Sequence, residues 1–479
     1  MRSPLLRLSA TRLAAMIKSG EATSREVVDV HIARILEVNP RLNALVRDRF
    51  DGAREEARLA DEEVRTKDAR ALLPLHGVPC TIKEAFALRG MPNSGGLVAR
   101  KDVVAKEDAT AVARLRGAGA IPLGVTNLSE LCMWMESSNC VYGRTSNAYD
   151  VRRTPGGSSG GEGAIVGAGG SPFGLGSDVG GSIRMPAFFN GVFGHKPTGG
   201  RVPNSGQFPC SGGDALRYLT TGPLARRAED LMPLLGILEG PDGKDDRCSA
   251  WPNGRVEDVD ISALRVLDIE DNGRLRVSPA LMAAQKRAAR ALEQRGARVE
   301  QTRVAGFRHS LEIWSAMLGT AETTTFRALM GNGGVFHARR ELARWALGRS
   351  SHTLPAIMLA MVEGVTKLSP GQTQKFVDMG RALREELVDL LGDDGVILFP
   401  SYPTVAPRHH EPLFVPIKYM YTAVFNVLEL PVTQVPLGLD ARGLPLGVQV
   451  VGAHGKDHVT IAVALALEEA LGGWVMPAR

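Results

Sequence analysis

The 479-residue chain has only five cysteines (Cys80, Cys132, Cys140, Cys210 and Cys248), and no two of them form a C-x-x-C pair. An odd, scattered set argues against a disulfide framework or a zinc site and fits free thiols in a reducing compartment. An excess of one charge is also missing: 57 Lys and Arg face 52 Asp and Glu, a net charge of +5. Most bases are interleaved with acids, as in Arg54–Glu55–Glu56 and Arg384–Glu385–Glu386, and the denser stretches Lys286–Arg290 and Arg339–Arg349 fall in helical patterns. The expectation is therefore a solvated surface and no nucleic-acid partner. No uncharged run reaches 18 residues, so no spanning helix is expected. Met1-Arg2-Ser3-Pro4 leads into charged amphipathic sequence without the apolar stretch of a signal peptide. The expected location is the cytoplasm, and nothing calls for a metal or an organic cofactor.

Glycine, in contrast, is abundant, with 54 residues, and the chain is 44% hydrophobic. That is too apolar for a disordered chain and lacks a collagen period. Sixteen of the glycines fall between Gly156 and Gly200. Ile165, Val166, Phe173, Leu175, Val179 and Ile183 punctuate the segment with core-type residues, which a flexible linker would lack.

Two helices are expected over residues 9–39, the second ending before Pro40, and a charged third over 51–67. Strands Val78–Ile82 and Ala120–Val125 flank a helix at Ala109–Arg116. Residues 214–240 read as helix, Ala263–Ile269 and Arg298–Thr302 as strands around a helix at Ser278–Arg295, and 310–392 as a long, interrupted helical stretch. Val396–Phe399 is a strand, Val432–Leu439 and Leu444–Val451 form a hairpin about Asp440–Gly443, and a helix closes the chain over 457–471. Alternating strands and helices indicate an α/β layered fold whose C-terminal strands join the N-terminal sheet.

Three stretches carry residues suited to acyl chemistry. Thr154-Pro-Gly-Gly-Ser158-Ser159-Gly-Gly161 satisfies G-x-S-x-G, the nucleophile elbow of α/β-hydrolases, with Ser158 as nucleophile. No histidine sits in a context that marks it as the partner base. Second, Asp178-Val-Gly-Gly-Ser182-Ile-Arg184 lies 24 residues further on; its backbone N–H groups at Val179, Gly180, Gly181 and Ser182 suit an oxyanion nest. Third, Lys83 ends the apolar run Gly77-Val-Pro-Cys-Thr-Ile-Lys83, where desolvation would lower its pKa and make it a base. Each feature also has a plain structural reading. Lys83 would be a strand-end surface lysine, Ser158 and Ser159 turn residues, Ser182 a helix cap, His195 a structural histidine, and Cys132 and Cys140 packing thiols.

Together the three stretches resemble the amidase signature family, and the resemblance runs from Leu8–Val46 through Gly194–Thr198 to Leu444–Val451. It implies a single α/β/α domain over 1–479 with a mixed, mostly internal sheet. A signature core would occupy about 70–220, a helical substrate-channel insertion about 305–392, and returning strands 396–451. It also implies a Ser–cis-Ser–Lys triad. Ser182 would be the nucleophile, Ser158 the bridging serine held by a cis peptide with Gly157, and Lys83 the base. The N–H groups of Val179, Gly180, Gly181 and Ser182 would form the oxyanion hole, with Asp178, Arg184 and Ser159 in support. Cys132, Met133 and Trp134 would line the acyl side of the site.

Within the family the chain is most similar in appearance to fatty-acid amide hydrolases and their bacterial relatives, through Gly161-Glu162-Gly-Ala, Ser137-Ser-Asn139, Leu430–Gln434 and Gly472-Gly-Trp474-Val. Glu162 departs from the tRNA amidotransferase subunits, which usually carry a small residue there. The implied activity is hydrolysis of a small-molecule amide with a fatty or aryl acyl group. Aryl-acylamide or carbamate hydrolysis and an amidotransferase subunit are the alternatives. Apolar residues in Met330–Trp345, Leu354–Val362 and Tyr419–Leu428 are compatible with weak attachment to a membrane surface, and the family with a homodimer.

Overall fold

The computed structural model describes residues 3–252, 254–365 and 369–478. Met1 and Arg2 at the N-terminus, and 366–368 in the expected helical stretch, lie outside the described residues.

Among the described residues, thirteen strands form: β1 (Leu45–Asp48), β2 (Pro79–Lys83), β3 (Ile121–Thr126), β4 (Ser138–Asn139), β5 (Gly143–Arg144), β6 (Phe173–Asp178), β7 (Phe193–Lys196), β8 (Thr220–Ala225), β9 (Arg265–Asp268), β10 (Arg298–Gln301), β11 (Gly395–Phe399), β12 (Val432–Leu439) and β13 (Pro445–Gly452). Eleven build one sheet in the order β1-β3-β2-β6-β8-β7-β12-β13-β11-β9-β10, while β4 and β5 pair separately. The sheet is mixed: β2 runs parallel to β3 and β6, and β9 parallel to β10 and β11, whereas β6–β8, β7–β12 and β12–β13 are antiparallel. Flanking helices cover it, among them Gly160–Gly167 against β6 and Asp457–Leu471 against β12 and β13. β2, β3, β6, β8, β11 and β13 are buried along their whole length. Strands covered on both faces read as continuous apolar runs without alternation.

The expected strands and the closing helix form within a few residues of the positions read from the sequence. The hairpin turn is held by Asp440, whose carboxylate accepts from the N–H groups of Arg442 (2.8 Å) and Leu444 (3.0 Å). Two expectations are corrected. The second helix does not stop before Pro40 but runs over Ser24–Leu42. Pro40 lies in its last turn; Asn43 in the left-handed conformation then ends the helix. Residues 214–240 are not one helix: β8 lies within them at the centre of the sheet, ahead of a helix at Leu231–Leu238. Gly222 and Pro223 give that strand no β signal, and burial on both faces removes alternation. The stretch from 310 breaks into helices Ser310–Ala321, Phe326–Gly331, Ala338–Ala346, Leu354–Val365 and Pro370–Leu391.

The sheet sets the site. Because β2 and β6 are parallel neighbours, their C-terminal ends emerge on the same edge and bring Lys83 beside Ser177 and Asp178. The helix Gly160–Gly167 begins over that edge and delivers Ser158 and Ser159.

Candidate active site

Lys83 is fully buried at the end of β2. Its Nζ donates to Ser158 Oγ at 2.7 Å and to Ser177 Oγ at 2.9 Å. Burial pushes the ammonium well below the usual lysine range, while the Cys132 thiol, Asp178 and Glu162 act in the opposite direction. Ser158 is buried, and the Gly157–Ser158 peptide bond is cis. Ser137 braces this loop. Its hydroxyl donates to the carbonyls of Gly156 (3.1 Å) and Ser158 (3.2 Å) and accepts from Gly160 N–H (2.8 Å).

Ser182 follows Gly180 and Gly181. Gly181 has φ +119°, and a Cβ there would lie 2.1 Å from Thr422 Oγ1, so the turn needs glycine on both counts. Asp178, fully buried, binds this turn from below: it accepts from Gly181 N–H (2.7 Å) and Ile183 N–H (3.0 Å). Gly181 N–H is thus engaged by Asp178, and the other N–H groups of the expected nest belong to Val179, Gly180 and Ser182. Arg184 pairs with Asp178 through Nε (3.0 Å) and Nη2 (2.9 Å). Burial alone would raise the Asp178 carboxyl; the Arg184 charge and hydrogen bonds hold it below the usual carboxylate range instead. The rest of the guanidinium reaches Thr422 O, Gln449 Oε1 and Asn426 Oδ1 at 2.9, 2.9 and 2.6 Å. Ser159 N–H donates to Ser182 O (3.2 Å), joining the two serine turns.

Ser158, Ser177, Val179 and Ser182 line a cavity of about 70 Å³ together with Cys132 and Met133. Leu131, Leu219 and Leu329 give its wall apolar surface, and no histidine is among its lining residues. Trp134 is not on this cavity. Its indole N–H is turned towards Glu136 Oε2 (3.3 Å), and the ring faces a neighbouring cavity of about 390 Å³ shared with Met133, Trp345 and His352. His195 is buried elsewhere, between Asp457 (3.1 Å) and Thr433 (2.9 Å). Asp178 is held by Arg184, not by His195.

Several contributors were not singled out in the sequence. Ser177 is the second acceptor for Lys83, and its position before Asp178 at the end of β6 is the one signal it carries. Trp314, on the helix Ser310–Ala321, donates from Nε1 to Val179 O at 2.8 Å, and Cys210 and Gln207 complete the cavity wall. Such long-range partners have no local pattern.

The chain matches known proteins over nearly its whole length. The family model described as Amidase matches residues 26–461. Fatty-acid amide hydrolase 2-A of Danio rerio is 49% identical over 494 residues, covering 100% of this chain and 91% of that protein. Fatty-acid amide hydrolase 2 of Homo sapiens is 47% identical over 492 residues, covering 99% and 91%. Among solved structures, 6-aminohexanoate cyclic dimer hydrolase complexed with substrate superimposes with a TM-score of 0.80 at 27% identity, covering 98% of each chain. On the family match over residues 26–461 and these identities, the chain belongs to the amidase family.

Proposed function

We propose that this protein is a serine hydrolase that cleaves carboxylic amides to acid and amine through an acyl-enzyme on Ser182, Ser158 and Lys83. The observation that carries the reading is the buried Lys83 Nζ, 2.7 Å from Ser158 Oγ, on a cavity that Ser182 also lines. Burial lowers the Lys83 pKa and so favours the neutral amine, the form that can accept a proton. Lys83 takes the Ser158 proton as Ser158 takes that of Ser182, and Ser182 Oγ bonds to the amide carbon. The carbonyl electrons move onto oxygen, where the N–H groups of Val179, Gly180 and Ser182 receive them, Gly181 N–H being held by Asp178. Collapse breaks the C–N bond, and the proton returns through Ser158 to the leaving amine, which must be protonated to depart. Water then repeats the sequence to release the acid. Asp178, Arg184 and Ser159 hold the two serine turns in register.

A hydrophobic acyl group is supported by Leu131, Met133, Leu219 and Leu329 around the cavity and by the names of the similar hydrolases. The segment after 305 supplies Glu322 and Thr324 from a loop and Leu329 from the helix Phe326–Gly331 to its wall, in keeping with a substrate channel there. Free thiols at all five cysteines fit a cytoplasmic setting. Exposed Val335 and Leu347 on the same helical region fit weak contact with a membrane surface. Among the described residues, no helix is long and apolar enough to cross a membrane.

A fluorophosphonate serine probe with peptide mapping tests the nucleophile. Label on Ser182 is expected; label on Ser158 would point to an elbow-type esterase, and full activity in Lys83→Ala would end the lysine mechanism. A panel of anilides of increasing acyl length separates fatty from aryl preference. Turnover by the isolated chain argues against an amidotransferase subunit, whereas activity confined to glutamine or asparagine would favour one. Rate is expected to rise with pH as Lys83 loses its proton, because only the neutral amine accepts one.

A further inference from the structure

Glu162 lies in the first turn of the helix that leaves the serine loop, is fully buried, and has no part in the steps above. Its two oxygens accept from Thr81 Oγ1 (2.6 Å) and Thr126 Oγ1 (2.7 Å). Thr81 is two residues before Lys83 on β2 and shares its face of the sheet. Thr126 is the residue opposite Lys83 across the β2–β3 ladder. On the other side, Gly174 of β6 faces Thr81, and a Cβ at Gly174 would lie 1.7 Å from Glu162 Oε2. Two hydroxyls and a missing side chain thus form a seat for this carboxyl beneath the lysine. Both of its hydrogen-bond partners are neutral, and among the described residues it forms no ion pair.

Cys132, Asp178 and Glu162 all favour the ammonium form of Lys83; of the two carboxylates, Asp178 is committed to Arg184, while Glu162 has neutral partners. On β2, Cys80 alternates with Thr81 and so points to the other face of the sheet, where burial holds its thiol protonated. From β6, Asp178 is bound by Arg184. The turn Glu130–Cys132 presents the Cys132 thiol to Lys83. Glu84, next to Lys83, is directed to Ser94 Oγ (2.6 Å), Gly95 N–H (2.9 Å) and Tyr142 Oη (2.8 Å).

We propose that Glu162 is a positioning residue that supplies the buried counter-charge to Lys83 while Lys83 carries the proton taken from Ser182 through Ser158. This rests on the lysine relay proposed above. Burial raises the Glu162 carboxyl to about 8, against the pull of both threonine hydroxyls and of Lys83. It is therefore ionised on the alkaline side, where neutral Lys83 is also populated. A carboxylate at this depth favours the ammonium form of Lys83, so its removal makes Lys83 easier to deprotonate.

The test is kcat and KM for a soluble anilide from about pH 5 to about pH 10 in wild type, Glu162→Gln and Thr126→Val, spanning the range where Lys83 and Glu162 titrate. In Glu162→Gln the acid limb of kcat/KM is expected to move to lower pH by about 1 unit, with plateau kcat roughly 10-fold lower and KM unchanged. Thr126→Val, which weakens the carboxylate without removing it, moves the limb the same way by about half as much. If Glu162→Gln does not fold, Thr126→Val carries the test alone. A uniform loss at every pH with the limb fixed, or an upward shift, overturns the proposal. Lys83→Ala is run alongside: if it is active, the relay itself fails, and if it is inactive while the limb stays fixed, only the role of Glu162 falls.

Discussion

Two regions meet at the cavity and are built on opposite plans. From Thr154 to Arg201 every residue is buried except Val179 and Gly180, both in the turn leading to Ser182. The segment from Phe326 to Glu363 instead carries apolar side chains in the open, with Val335 82% and Leu347 69% exposed in the loops between its helices. In the first region, hydrogen bonds and absent side chains fix backbone positions to fractions of an ångström, as an attacking oxygen and its oxyanion donors require. The second packs a smaller buried cluster, including Phe326, Met330, Ala338, Ala356 and Ala360, beneath that exposed surface. The difference separates a region in which nearly every backbone position is enclosed from one that encloses only a small core.

The sharpest contrast comes from Ser182→Ala, expected to lower kcat/KM for an anilide about 10⁴-fold or more while the melting temperature barely changes. Retention of a tenth of the activity would dissolve the distinction. Arg184→Met comes next. It leaves Asp178 charged and unpaired in the interior, and denaturant unfolding is expected to show a loss of about 3–5 kcal/mol. Trp314→Phe tests the seam between the regions: it removes the donor to Val179 O, for about 1 kcal/mol and a several-fold fall in kcat. The smallest effect belongs to the helical region. Leu347→Ser should alter stability by less than about 0.5 kcal/mol and leave hydrolysis of a soluble anilide unchanged. A large catalytic loss there would mean the exposed helices take part in positioning the reacting atoms.

The regions were also unequally legible. The buried turns announced themselves through glycine, serine and one aspartate–arginine pair at fixed spacing, because backbone placed against backbone restricts the residue types allowed. β6 and β8, which flank one another at the site, carried no periodic signal: Gly174, Gly176, Gly222 and Pro223 interrupt them, and both faces are covered. The family resemblance places Trp134 on the acyl side of the site. The side chain is drawn to Glu136 instead, a contact that no spacing predicts. Ser137 lies in one of the stretches that carry the resemblance and Ser177 directly before another, yet their roles depend on partners that only the fold brings near, and Lys83 lies 94 residues from Ser177.

The partners of Arg184 have a consequence for the life of the protein. The guanidinium that braces the Ser182 turn is held by Thr422, Asn426 and Gln449, more than two hundred residues further along the chain. A ribosome-bound chain stopped before these residues already contains Lys83, Ser158 and Ser182, but nothing yet grips the far side of that arginine. The Ser182 turn therefore gains its full set of braces only when the last quarter of the chain has been made and has docked.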